Sequence, residues 1–252
     1  MPMNDFNNKV IVITGGNSGI GKAIAEKFNQ QHAKIAIFGR NQNKLNEVKQ
    51  SLHDAIAVQG DIKKIADIEK LFKETDQAFG KIDVLVANAG IASRRHIKDV
   101  DEAFFDEIVN TNYKGVFFTV QRSLPYLKDG ASVILISSIA TKIILKSHSV
   151  YSSAKSAVST LARAFSADLL ERGIRVNSIS PGFIDTPIFD PMKKIDPDYM
   201  LKRNNKIPIG YFGRPMDIAD AALFLASSQS SYMVGTEMTV DGGVTEIFMS
   251  DF

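Results

Sequence analysis

Thr14-Gly15-Gly16-Asn17-Ser18-Gly19-Ile20-Gly21 follows an apolar β-branched run, Val10–Thr14, and opens a segment of helical period, Ile20–Gln31. A strand that feeds a helix through glycines begins a βαβ unit. Glycine permits a tight turn and a close backbone approach to a diphosphate. The free N–H groups and positive end of the helix then meet that negative charge. Many turns contain glycine, but a cluster between strand and helix, near the start of an alternating chain, points to a dinucleotide site. Gly15, Asn17, Ser18, Gly19, Ile20 and Gly21 are its candidate contacts.

The alternation continues outward from this loop. β-Branched runs at Lys34–Phe38, Ala55–Val58, Ile82–Ala87, Ser132–Ser137, Ile174–Ile179 and Glu237–Val240 predict further strands. Helical period predicts helices over Asn43–Leu52, Ile65–Phe79, Asp101–Leu127, Val150–Arg172 and Met216–Ser227. Near-continuous apolar strands such as Val133-Ile134-Leu135-Ile136 suit a sheet covered on both faces. The expected fold class is α/β: a Rossmann-type, doubly wound, seven-stranded parallel sheet with helices on both faces. No linker or charge block divides the chain, so residues 1–252 are read as a single domain.

Two segments depart from the plain alternation. Between residues 183 and 212, Pro187, Pro191, Pro197 and Pro208 interrupt a stretch rich in Phe, Ile, Met and Tyr. It reads as an insertion over the sheet edge, either a substrate lid or a packing excursion. Within Asp101–Leu127, Phe104, Ile108 and Val116 form one apolar stripe, and Phe105, Val109, Tyr113 and Phe117 form another. Both stripes could serve one monomer's core, or one could be the interface of a homotetramer or homodimer.

The 252 residues are 44% hydrophobic and 23% charged, which suits a globular chain with a sizeable core. Thirty Lys and Arg against 28 Asp and Glu leave a formal charge of +2, too little to indicate nucleic acid or a membrane surface as a partner. The absence of cysteine excludes disulfides, thiolate metal sites and thiol nucleophiles. Met1–Lys9 precede only four apolar residues, Val10–Ile13, so no signal-peptide core is expected. No apolar run reaches the length of a membrane span, and the expected location is cytoplasmic. His32, His53, His96 and His148 show no metal-ligand spacing, so no metal is expected. Only His148, three residues before Tyr151, is placed to meet a substrate, and it reads first as a surface histidine.

A ribose-reading residue is expected about 20 residues beyond the glycines, at the end of the second strand. Phe38-Gly39-Arg40 occupies that place, with Arg40 nineteen residues past Gly21. A carboxylate there would accept the ribose hydroxyls of NAD and repel a 2′-phosphate. Gly39 offers none, and the Arg40 guanidinium suits phosphate. NADP(H) is therefore favoured, with NAD(H) as the alternative if Arg40 faces solvent or stacks on adenine.

Tyr151 and Lys155 lie four residues apart, on one helical face. A tyrosine of pKa near 10 needs a shift of about 2 to 3 units, or about 3 to 4 kcal/mol, to ionise readily near pH 7 to 8. An ammonium at about 4 Å in an effective dielectric near 20 supplies about 4 kcal/mol. Lys155 is therefore expected to depress the Tyr151 pKa. The spacing alone arises by chance on exposed helices. Ser138, thirteen residues earlier, and the upstream glycine loop set this instance apart.

Over almost its whole length the chain resembles the short-chain dehydrogenase/reductase family, in its compact single-domain branch. The family's Thr-Gly-x-x-x-Gly-Ile-Gly loop is Thr14–Gly21, and its Asn-Ala-Gly is Asn88-Ala89-Gly90. Its Asn-x-x-Gly is Asn112–Gly115, its serine after the fifth strand is Ser138, its Tyr-x-x-x-Lys is Tyr151–Lys155, and its Pro-Gly is Pro181-Gly182. Ala87 stands where many members carry another Asn. The four-residue Tyr-to-Lys interval differs from the wider one of the enoyl-reducing members, and the chain is too short for the branch with a separate sugar-nucleotide domain.

The resemblance implies that Tyr151 is the general acid and base and that Ser138 holds the substrate oxygen. It further implies that Lys155 binds the nicotinamide ribose and that Asn112 positions a water relaying protons to solvent. Implied cofactor contacts are Asp61 with Ile62 at the adenine, Asn88, Ala89 and Gly90 along the ribose, and Tyr151, Lys155, Pro181, Gly182, Ile184 and Thr186 towards the nicotinamide.

The leading expectation is an enzyme that transfers hydride between NADP(H), less readily NAD(H), and a small-molecule carbonyl or secondary alcohol. A catalytically silent dinucleotide-binding regulator is the alternative, and a scaffolding oligomer a third. The full set of Asn112, Ser138, Tyr151 and Lys155 favours the enzyme. Ile143, Ile144, Leu145, Phe183, Ile188, Phe189 and Met192 are expected to wall an apolar substrate pocket. Arg94, Arg95 and His96 could greet an anionic group or form a solvated charge run.

Overall fold

A computed structural model describes residues 6–247; Met1–Asp5 and residues 248–252, the two ends of the expected domain, lie outside the described residues. The strands are β1 (Val10–Thr14), β2 (Lys34–Gly39), β3 (Ala55–Gln59), β4 (Ile82–Ala87), β5 (Leu127–Ile136), β6 (Arg175–Pro181) and β7 (Glu237–Val240). They form one sheet in the order β3-β2-β1-β4-β5-β6-β7, and every pairing is parallel. This is the expected doubly wound sheet. Its order reverses between β1 and β4, and the crevice beyond the carboxyl ends of those strands is where such a sheet takes a ligand.

The helices are α1 (Gly19–Asn29), α2 (Gln42–Gln50), α3 (Ile65–Phe79), α4 (Glu102–Val109), α5 (Gly115–Ser123), α6 (Ser149–Leu169), α7 (Asp190–Ile195), α8 (Leu201–Asn204) and α9 (Pro215–Ala226). Alternate side chains of each inner strand serve opposite layers. Val12, Ala36, Leu85 and Val133 pack with Leu71 and Phe72 of α3, Val120 of α5 and Val158 of α6. Ile11, Ile13, Ile35 and Val86 pack with Ile24 and Phe28 of α1, Leu45 of α2 and Ile218 of α9. Burial on both faces is why these strands read as continuous apolar runs.

The expected single helix over Asp101–Leu127 is interrupted. A π turn, Asn110–Lys114, separates α4 from α5, and α5 stops at Ser123 because Pro125 has no N–H to continue the ladder. β5 accordingly begins at Leu127, opposite Ile82, with a register shift before Val84 meets Ser132. The first stripe is largely internal, and the second is split: Tyr113 and Phe117 pack against the core while its N-terminal end is more open. Ile108 and Val116 are buried, whereas Phe105 is 48% exposed. With Val109 and Tyr113 it lines a groove of about 510 Å³ against Val150, Ala154 and Ala157 of α6.

The excursion after β6 contains α7 and α8, and its ends are pinned together. Ile184 and Gly213 form a parallel bridge, Gly213 N–H donates to Phe183 O at 2.9 Å and Asp185 N–H to Gly213 O at 2.8 Å. Phe212 packs against both Phe183 and Phe189, and Phe189 against Tyr199. No helix among the described residues is long and apolar enough to cross a membrane.

Candidate active site

The glycine loop ends β1 and is held from two sides. Gly15 N–H donates to Phe38 O of β2 at 2.8 Å. On the β4 side, Asn88 Nδ2 donates to Thr14 O (2.9 Å) and Gly15 O (3.2 Å). The N–H groups of Asn88 and Ala89 both donate to Thr14 Oγ1 at 3.1 Å. The Asn88 amide thus shapes the loop. Gly15 sits at φ +67° and Gly19 at φ +51°, a region costly for side-chain-bearing residues. A Cβ on Gly21 would lie 2.2 Å from Gly15 O.

The residues present fit a dinucleotide. Ser18 caps α1 without a side-chain bond, and the first turn holds no acidic residue, so its N–H donors face the crevice without a protein anion to satisfy them. Gly39 is buried beside Asn17, where a Cβ would come 2.7 Å from Asn17 Oδ1. Arg40 is exposed. Its backbone oxygen accepts from Gln59 Nε2 at 3.0 Å, and among the described residues its guanidinium forms no ion pair.

Other candidates surround the same crevice. Asp61 Oδ1 accepts from Lys63 N–H at 3.0 Å, while Asp61 N–H donates to Asp67 Oδ2 at 2.8 Å. Asp61 therefore builds the turn before α3, whose cap is Lys64. Ile62 is buried beneath Gly115, where a Cβ would meet its Cγ1 at 2.9 Å. Pro181 ends β6, and Gly182 N–H donates to Val240 O at 2.9 Å. Ile184 is buried at the base of the excursion. Thr186 lies over the glycine loop, its Cγ2 3.3 Å from where a Gly19 Cβ would stand.

The chemistry-bearing side chains converge where β4, β5 and α6 meet. Asn112, fully buried in the π turn, accepts from Ile91 N–H at Oδ1 (3.0 Å) and donates from Nδ2 to Ile108 O (3.1 Å). A Cβ on Gly90 would lie 2.8 Å from Asn112 Oδ1 and 3.3 Å from Lys155 Nζ, so glycine lets this loop press against both. Lys155 is buried and its Nζ donates to Ile136 O at 2.8 Å. Burial lowers its pKa to about 8, which leaves it mostly protonated at pH 7. Ser138 Oγ accepts from Ala140 N–H at 3.2 Å and stands close enough to the Tyr151 phenol to favour its ionised form slightly.

One expectation is corrected. Burial raises the Tyr151 pKa above its usual value, and Ser138 only partly opposes it. Lys155 is not among the groups that shift the phenol; its ammonium donates to Ile136 O. Within the expected pocket wall Ile144 is 94% exposed and faces solvent. Arg95 pairs with Asp101 at 2.8 Å and lies over the Phe104 ring. Sequence reasoning passed over Thr14 and the hydroxyls of Ser137, Thr141, Ser159 and Ser180. No spacing signal marks them; the Ser137-Ser138 pair was the nearest hint.

Fold, site and relatives together mark the chain as an NAD(P)-dependent oxidoreductase. The family model described as enoyl-(acyl carrier protein) reductase matches residues 15–245, and the chain belongs to the short-chain dehydrogenase/reductase family. The NADP-dependent (R)-specific alcohol dehydrogenase of Lentilactobacillus kefiri is 36% identical over 248 residues, covering 95% of this chain and 98% of that one. An oxidoreductase of Sarocladium schorii is 36% identical over 245 residues, covering 96% and 98%. The structure of a glucose/ribitol dehydrogenase-type member from Brucella melitensis superposes with a TM-score of 0.90 at 31% identity, covering 97% and 98%.

Proposed function

We propose that this chain reduces a ketone with NADPH, and oxidises the corresponding secondary alcohol in reverse, with Tyr151 moving the proton. The observation that carries the reading is the buried Lys155 ammonium, packed with buried Asn112 against Gly90 and carried on the same helix, α6, as Tyr151. The bound nicotinamide would supply or accept the hydride. Gly15, Asn17, Ser18, Gly19, Ile20 and Gly21 would hold its diphosphate. Arg40 would meet a 2′-phosphate, as the NADP-dependent Lentilactobacillus kefiri relative encourages. Asp61 and Ile62 would flank the adenine. Asn88, Ala89 and Gly90 would follow the ribose, and Pro181, Gly182, Ile184 and Thr186 the nicotinamide.

Because burial keeps the Tyr151 phenol protonated at neutral pH, it is ready to donate to a carbonyl oxygen that gains charge during reduction. Ser138 would hydrogen-bond the same oxygen. Lys155 would bind the nicotinamide ribose, and Asn112, held in its π turn, would position the water that returns protons. Residues 183–212, whose Thr186 lies over Gly19, would form the substrate lid. One domain, located in the cytoplasm, is part of the same reading.

Purified protein should oxidise NADPH with at least one member of a ketone panel and not with an enoyl thioester, as the four-residue Tyr151–Lys155 interval implies. If no ketone supports oxidation although NADPH raises Tm, the silent regulator is the better description. We further infer a homodimer or homotetramer formed through the groove between α4 and α6, whose apolar lining a second copy would cover. Light scattering at micromolar concentration should give a multiple of the chain mass; a monomer mass alone would sink this.

A further inference from the structure

Glu237, on edge strand β7, is half-buried and forms no ion pair among the described residues. Its Oε1 accepts instead from three hydroxyls on three other elements. These are Ser180 of β6 at 2.5 Å, Ser159 of α6 at 3.1 Å and Thr141 of the turn after β5 at 3.4 Å. Partial desolvation of a carboxylate is costly, and a methionine or leucine would cover this edge more cheaply if only packing mattered.

The hydroxyls lead to the two chain segments on which the proposed chemistry depends. Thr141 Oγ1 also lies 2.9 Å from Ser138 O, so its single proton is shared between that carbonyl and the Glu237 carboxylate. Ser159 Oγ lies 2.7 Å from Ser137 Oγ, which donates to Lys155 O at 3.0 Å. An ionised carboxylate only accepts, so Ser159 and Ser180 spend their protons on it. The Ser159 oxygen is then free to accept from Ser137, whose single proton is shared between Ser159 and Lys155 O. A carboxylate outside the site is thereby joined through one hydroxyl to Ser138 and through two to Lys155.

We propose that Glu237 is a positioning residue that fixes the Ser138 turn and the Lys155 segment of α6 relative to each other. The proposal rests on the roles given above to Ser138 and Lys155. A misplacement of about 1 Å at such groups can cost about a hundredfold in rate. Glu237→Leu removes the shared acceptor, whereas Glu237→Gln keeps an oxygen of the same reach.

In the full chain, Glu237→Leu is expected to lower kcat for ketone reduction about 10- to 100-fold while the Kd for NADPH stays within about threefold. Glu237→Gln should recover kcat to within about threefold of wild type. A wild-type kcat in Glu237→Leu, an equal loss in Glu237→Gln, or NADPH binding that weakens in step with kcat would each overturn the proposal. Should Glu237→Leu fail to fold, Ser159→Ala cuts the path to Lys155 and leaves the carboxylate in place. Its kcat should fall several-fold at unchanged NADPH affinity, and an unchanged kcat overturns the proposal. Wild-type turnover is measured first: its absence overturns both this proposal and the proposed function, whereas the variant results overturn this one alone.

Discussion

Replacing Tyr151 by phenylalanine is expected to lower turnover about 100-fold or more, because a positioned general acid is typically worth that much, while NADPH binding changes by less than about twofold. The change keeps the ring and its edge contact with His148, where the centroids are 6.2 Å apart, and removes only the hydroxyl. Ser138 would still accept from Ala140 N–H, so the turn should survive and Tm should move little. The raised Tyr151 pKa also fixes the sign of the pH dependence. Reduction needs the protonated phenol and should hold through neutral pH, falling only as the phenol ionises. Oxidation needs the phenolate and should quicken as pH rises. Steady-state kinetics in both directions would check this; wild-type-like turnover in Tyr151→Phe would remove Tyr151 from its role.

What the residues reveal before folding is what depends on near neighbours. The glycine loop, the strand runs and the Tyr151–Lys155 spacing are local patterns, and the seven parallel strands follow from them. The break between α4 and α5 carries no local pattern, and the Asn112 within it finds its partner, Ile91 N–H, 21 residues away. The use of the Asn88 amide on Thr14 and Gly15 spans more than seventy residues and was equally hidden. The direction of the Tyr151 shift likewise depends on distant groups. A Coulomb estimate at an assumed distance and dielectric omits the burial that raises Tyr151 and lowers Lys155, and it omits the Ile136 carbonyl that holds the ammonium. The helices α7 and α8 were lost in a segment whose prolines mask a helical period.

Cofactor choice gives the second large effect. If Arg40 meets a 2′-phosphate, Arg40→Ser should weaken NADPH about 10- to 150-fold, since a charge-assisted contact is worth about 1.5 to 3 kcal/mol, and leave NADH nearly unchanged. The guanidinium is suited to this test because it is exposed and forms no ion pair among the described residues. Adding Gly39→Asp would place a carboxylate where the phosphate is expected and should move the preference further towards NADH. That second change is less clean than the residues alone imply: a Cβ at Gly39 comes 2.7 Å from Asn17 Oδ1, so Asn17 must shift and the glycine loop with it. The single variant therefore reports the guanidinium, and the double variant reports the guanidinium plus a strained loop. A loss of NADPH affinity already present in Arg40→Ser assigns the specificity to Arg40. Should the unmodified protein use NADH with a better kcat/KM than NADPH, Arg40 has no phosphate to hold, and its guanidinium stacks on adenine or faces solvent.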